Sequence, residues 1–259
     1  MFKNIELKYG FNRLCDSTQE NVLMDIFVYK GRIGELLNLF EEHKESAILL
    51  LQGEIEVSLK NEIFRFSRSN VFEEEASCIH IPKNTKISIT CKSDTEFLIQ
   101  QTNNEIDFES KIYEKKDIIK QTFGVGTLAS TTQRIVTTVF DFESSPKSNM
   151  VLGEIINKPG IWSSYPPHHH PQPEVYFYKF NKKQGFGTCY IGEECYKVSN
   201  NSVALIPGGY VHPQNAAPGY AMYYVWMIRH LANQPWRKDR ITESKHEWLL
   251  DENVEIIKL

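Results

Sequence analysis

The chain lacks what would cross-link it, anchor it in lipid or steer it to nucleic acid. Its five cysteines, Cys15, Cys78, Cys91, Cys189 and Cys195, are odd in number and include no pair two residues apart, which excludes a disulfide framework and points to a reducing, cytoplasmic compartment. No run of eighteen apolar residues occurs. The opening residues, MFKNIELKYGFNR, hold no apolar core followed by a cleavage site, so neither a membrane nor a secreted protein is expected. Charge of one sign is missing too: 29 Lys and Arg are interspersed with 33 Asp and Glu for a net charge of -4, without a basic stripe, so nucleic acid is not expected as a partner.

Long stretches of helical period are scarce as well, and what fills the chain is short β-like segments. With 41% hydrophobic residues in a length of 259, one large core or two small ones can form. Up to about Ile33 the pattern is that of a meander, with VLMDIFVY at Val22 to Tyr29 as its clearest strand. ESAILLLQGEIEV, Glu45 to Val57, is expected to form a strand, a turn at Gly53 and a second strand. Further strands are read at Glu62 to Phe66, Ser77 to Ile81, Lys86 to Ile89 and Asp94 to Gln100. Asn103 to Lys120 is charged and is taken as a linker or short helix. The grammar then repeats, with strands expected at Arg134 to Phe140, Met150 to Ile156, Glu174 to Phe180, Gly187 to Ile191, Glu194 to Val198, Ser202 to Ile206 and Tyr220 to Ile228. An Ile-Pro step closes a strand pair in both halves, at Ile81-Pro82 and Ile206-Pro207. The expected architecture is therefore all-β, with two barrel domains at residues 1–120 and 121–259. The charged tail from Asn233 onward contains Trp236 and Trp248, which need apolar surface and should fold back on a barrel.

The two halves differ in chemistry. The first offers only His43 and His80, whereas the second contains PPHHHPQPEVYFYKF, Pro166 to Phe180. In an extended chain side chains alternate between faces, so His168, His170 and Glu174 share one face and His169 points away. His212 follows the turn IPGGY and can be returned beside them. Each residue alone is more often structural than chemical. Together, three imidazoles and a carboxylate suit one divalent ion, zinc first, with manganese, iron or nickel as alternatives. Only the second half is expected to bind it.

The same residues, followed by Pro207-Gly208-Gly209 and His212, resemble the two metal-binding motifs of the cupin superfamily. WSSYPPH at Trp162 to His168, QGFG at Gln184 to Gly187 and APGYAMYYVW at Ala217 to Trp226 are similar to the family of 5-deoxy-glucuronate isomerases of inositol catabolism, and NVFEEEASCIHIPKNT at Asn70 to Thr85 to that family's metal-free domain. The short segment Pro171 to Pro173 and EVYFYKF lie closer to the sister enzymes that isomerise 4-deoxy-5-ketouronate in pectin breakdown. The resemblance implies a bicupin, one divalent metal per chain and aldose-ketose isomerisation of a deoxyuronic acid. It leaves homo-oligomerisation open.

Such a reaction moves a proton or hydride between neighbouring carbons while charge gathers on oxygen, which a Lewis-acidic cation can stabilise. Tyr176 and Tyr178 share the parity of Glu174 and are candidates for proton relay or orientation, with aromatic core filling as the plainer role. Gln184 is added from the family resemblance. A substrate carboxylate calls for a cation: Arg134, in TTQRIVTT, corresponds to a recurring arginine of the family, and Lys179 and Arg229 are alternatives. Competing readings are an oxygen-using metal cupin and a non-enzymatic sugar-binding cupin. No DNA-binding helix pair accompanies the strands.

Overall fold

The computed structural model describes residues 1–251 and 254–256. Among them the chain is almost wholly β, and its contacts divide it into two compact units. One unit comprises Glu6–Ile118 with Val139–Val151; the other comprises Met1–Ile5, Ile119–Thr138 and Leu152–Leu259. The division thus assigns two short segments otherwise than a single cut near residue 120 would.

The first unit is organised by one 16-residue strand, Lys44–Leu59. Its first half pairs with Cys78–Ile81 and Thr95–Asn103, its second with Glu62–Arg68 and Ile87–Cys91. No turn interrupts it at Gly53. Instead the register slips between Leu50 and Gln52, a bulge that bends one strand from one partner set to the other. The apolar pattern registers that slip: Ile48 and Leu50 face the core before it, Ile55, Val57 and Leu59 after it, so the inward parity changes from even to odd. Gly53 sits at φ +99° against Thr95, with a would-be Cβ 2.6 Å from the Asp94 carbonyl, so only glycine fits the bend. Phe97, Ile99, Ile79 and Ile89 complete the core, each such buried side chain contributing about 1.5–3 kcal/mol.

The second unit holds most of a seven-stranded sheet in the order Phe2–Asn4, Ser202–Ile206, Glu174–Phe180, Met222–Arg229, Met150–Asn157, Arg134–Phe140 and Ile119–Phe123, with the residues from Val139 to Val151 counted in the first unit. A four-stranded sheet of Trp162–Ser163, Gln214–Ala216, Phe186–Ile191 and Glu194–Ser199 accompanies it. Tyr178 and Tyr224 reach from the large sheet to Gln214 and Ser163 of the small one, which makes the arrangement jelly-roll-like. The segment expected to be a linker or helix holds the strand Lys111–Tyr113, a 3-10 turn at Lys115–Asp117 and the strand Ile119–Phe123. The first residues of the chain pair with Ser202–Ile206, and Asn4 accepts a hydrogen bond from Ser202 at 2.7 Å.

Candidate metal centre

Glu174 opens a strand that is paired on both sides, to Ile206 and to Ile228, so its carboxylate leaves a rigid sheet rather than a loop. His168 and His169 form a separate two-residue strand, and a bend at Pro171 and Gln172 precedes Glu174. Convergence therefore comes from this bend and not from the shared face of one strand. Two contacts fix the bend against the turn that carries His212. The Gly209 N–H donates to the His170 carbonyl at 2.8 Å, and Gly208 lies so near Pro171 that a Cβ would come within 1.8 Å of its carbonyl oxygen.

His170, Glu174 and His212 are buried and offer ligand atoms within 4.8 Å of one another. Glu174 Oε2 is 3.1 Å from His170 Nε2 and 3.3 Å from His212 Nε2. His168 flanks them, its ring centre 5.3 Å from that of His212. In all three histidines Nδ1 faces a backbone carbonyl: Pro166 at 2.8 Å for His168, Gln172 at 2.9 Å for His170 and Tyr210 at 2.8 Å for His212. A carbonyl only accepts, so Nδ1 carries a hydrogen, and a ring with its one hydrogen there presents a bare Nε2. Burial holds the pKa of His168 well below the usual histidine value, with the nearby His212 and Arg240 acting the same way. Burial also lowers His212, against the opposing pull of Glu174. Lone pairs of nitrogen and carboxylate oxygen thus face one another, an arrangement that a cation relieves. The donor set fits a divalent ion, and the cluster could hold one.

The cavity around these residues is about 50 Å³, room for one or two waters, and is also lined by Arg134, Ser164, Tyr176, Trp226, Trp236 and Arg240. A neighbouring hollow of about 1160 Å³ shares Arg134 with it. Tyr176 faces Ser164 Oγ at 3.3 Å, and burial raises its pKa well above the ordinary phenol value, so it stays protonated.

Residues 4–249 match the KduI/IolB family. The chain belongs to that family. The 5-deoxy-glucuronate isomerase of Geobacillus kaustophilus is 25% identical over 245 residues, covering 88% of this chain and 86% of the relative. The enzyme of that name from Halalkalibacterium halodurans is 25% identical over 268 residues, covering 95% and 96%. Among solved structures, an IolB-like protein from Salmonella typhimurium is similar with a TM-score of 0.86 at 21% identity, covering 96% of this chain and 99% of the other. Oxalate decarboxylase from Lactobacillus farciminis is similar with a TM-score of 0.66 at 10% identity, covering 93% and 86%. The likeness shows the fold, an all-β bicupin.

Within this family fold the remaining candidates separate clearly. Arg134 lines the cavity, buried, its Nη1 donating to the Thr132 carbonyl at 2.9 Å. Tyr178 does not reach the cavity: its hydroxyl is committed to Gln214 Oε1 at 2.5 Å. Lys179 alternates to the opposite face from Glu174, Tyr176 and Tyr178, and its Nζ lies 3.4 Å from Asn201 Oδ1. Arg229 likewise falls on the face opposite Trp226 and Ile228, its guanidinium turned to the His230 carbonyl. Gln184 lies exposed in the turn after Phe180, at the far end of the strand that Glu174 begins, about 20 Å away at strand rise. His169 pairs with Ile241 and does not line the cavity. His246 sits in the 3-10 segment Ser244–Leu250, 3.7 Å from Glu243, and lines a different cleft. Sequence reasoning missed Arg240 and Ser164 altogether. Nothing local marks Arg240, which lies in a polar tail among other charges, though the expectation that Trp236 and Trp248 bury themselves pointed to that tail; Trp236 is buried, whereas Trp248 stays exposed.

Proposed function

We propose that this chain is a divalent-metal-dependent aldose-ketose isomerase that converts 5-deoxy-glucuronate into 5-dehydro-2-deoxy-gluconate, in inositol catabolism. That it is an isomerase follows from membership of the KduI/IolB family, whose relatives above carry that activity in their names. The observation that carries the metal is the triad of Nδ1–carbonyl contacts, which leaves bare Nε2 atoms around a carboxylate. His168, His170, Glu174 and His212 would hold the ion, zinc being the first candidate for such a ligand set. When bound, a divalent ion supplies Lewis acidity to the carbonyl and hydroxyl oxygens that exchange roles.

The protein's own groups then divide the remaining work. Tyr176, a buried phenol kept protonated, can donate to a substrate oxygen as charge gathers there, which suits an orienting or acidic role and not that of a base. Trp226, Trp236 and Val136 exclude water from the reacting carbons. Arg134 offers its remaining guanidinium donors to the substrate carboxylate; a six-carbon acid exceeds the small cavity, and its carboxylate end would lie toward the larger hollow that Arg134 also lines.

The test is metal analysis of the purified protein together with isomerisation assays on 5-deoxy-glucuronate and on 4-deoxy-5-ketouronate, the substrate favoured by the short Pro171 to Pro173 segment. About one divalent ion per chain and turnover of the first acid are expected, and turnover of neither by the metal-replete protein would refute the proposal. Arg134→Ala should lower catalytic efficiency on the acid by roughly tenfold to a hundredfold, about 1.5–3 kcal/mol, with the metal retained.

A further inference from the structure

The tail that follows the strand Met222–Arg229 returns to the metal-side cavity and is tied down on both sides of Arg240. Before it, the Trp236 N–H donates to His230 Nδ1 at 3.0 Å, and Gln172 donates to the Gln234 carbonyl at 2.8 Å. After it, Ile241 and Thr242 pair with His169 and His168, and the Glu243 N–H donates to the Pro167 carbonyl at 2.9 Å. The backbone of Arg240 is therefore delivered to the cavity by the segment that presents His168. Its side chain is exposed, and neither Arg240 nor Arg134 forms an ion pair with a described carboxylate. Two guanidinium groups thus line one cavity of about 50 Å³, with Glu174 as the acid beside them. Burial lowers the Arg134 pKa, and the positive field of Arg240 adds to that. Like charges lining one small cavity are unfavourable until an anion enters it.

We propose that Arg240 is a specificity-determining residue that closes, with Arg134, a two-arginine clamp on the carboxylate of the substrate. This rests on the sugar-acid reading above and extends it to a residue outside the cupin strands. A planar carboxylate can take two parallel N–H donors from one guanidinium and further donors from the other. Because Arg240 is exposed while its backbone is held, its side chain can swing aside to admit the ligand and settle on it afterwards. The clamp gives the site a means of rejecting a neutral sugar that the metal ligands alone do not provide.

The experiment uses the full-length, metal-replete protein and measures binding of D-glucuronate and of D-glucose by titration calorimetry, with Trp226 and Trp236 fluorescence as a second readout. Arg240→Gln should weaken glucuronate binding by about tenfold or more, as for loss of a charged hydrogen bond, while metal content and the weak response to glucose stay unchanged. Arg240→Lys should recover part of the affinity, since the charge remains but the fork is lost. Lys179→Gln, on the other face of the sheet, serves as a control and should change nothing. In turnover of the deoxyuronate, Arg240→Gln should raise KM more than it lowers kcat. Arg240→Gln with wild-type glucuronate affinity and wild-type KM overturns the clamp and leaves the isomerase reading standing. Glucuronate binding that depends on Arg240, in a protein that isomerises no deoxyuronate, supports the clamp and overturns that reading. Failure of the wild type to prefer glucuronate over glucose overturns the clamp.

Discussion

In the unit built around Lys44–Leu59, His80 Nε2 lies 2.8 Å from Glu45 Oε2; in the other, His170 Nε2 lies 3.1 Å from Glu174 Oε2. Both pairs are buried, and what surrounds them differs. Glu45 also accepts from Asn104 Nδ2 at 3.1 Å, Ser148 Oγ at 2.8 Å and the Asn149 N–H at 2.6 Å, so its lone pairs are filled by donors. His80 stacks on Phe140 with centroids 4.3 Å apart and packs against Phe108. That network is closed, and its physical effect is to fasten Ser148 and Asn149 to the strand that bears Glu45. Glu174 faces two imidazoles whose hydrogens are already committed on their far sides, beside a cavity. A buried histidine-glutamate pair is thus a lock where donors saturate the carboxylate, and a candidate ligand set where they do not.

The sharpest way to break the contrast is to remove each carboxylate. Glu174→Ala should strip the metal and cut activity by more than the roughly 100-fold seen when groups that merely support a ligand are lost, as checked by elemental analysis and turnover. Glu45→Ala should leave metal content intact and instead destabilise its unit by about 3–5 kcal/mol, because four donors, three of them buried, lose their acceptor; urea unfolding followed by circular dichroism measures this. Metal loss in the second variant, or retention in the first, would erase the distinction.

A smaller effect concerns pH. His168 and His212 have folded-state pKa values held below the ordinary value of about 6.5 by burial, so the unfolded chain binds protons there before the folded one does. Their contribution to stability is fully present above about pH 6.5 and is lost as pH falls from there toward the folded values. The melting temperature of the metal-free protein should therefore decline between about pH 7 and 5.5, and His212→Gln should flatten the decline. The smallest effect belongs to His169→Ala, which should change neither metal content nor stability by more than about 0.5 kcal/mol, since its side chain lies outside the cavity.

Much of the site was legible because its chemistry is concentrated locally. His168, His170 and Glu174 fall within seven residues, and the glycines before His212 announce a turn. The periodicity reading went astray where the chain bends: at Gly53 a bulge replaces a turn, and between His170 and Glu174 a bend replaces continuous strand. Lys179 and Arg229 were candidates by charge alone, whereas the alternation that selects Glu174, Tyr176 and Tyr178 turns Lys179 to the other face. Gln184 rested on resemblance, and the strand's length carries it out of reach.

By itself the sequence determined the all-β class, the two repeating halves and the clustering of imidazoles in the second, since strand period, turn residues and ligand types are written in neighbouring positions. Only the tertiary structure decided that Phe2–Asn4 joins Ser202–Ile206 and that Ile241–Thr242 pairs with His168–His169, bringing Arg240 to the metal side. Those pairings are made by backbone donors and acceptors at sheet edges, which every residue carries alike, so no side chain in either segment names its partner.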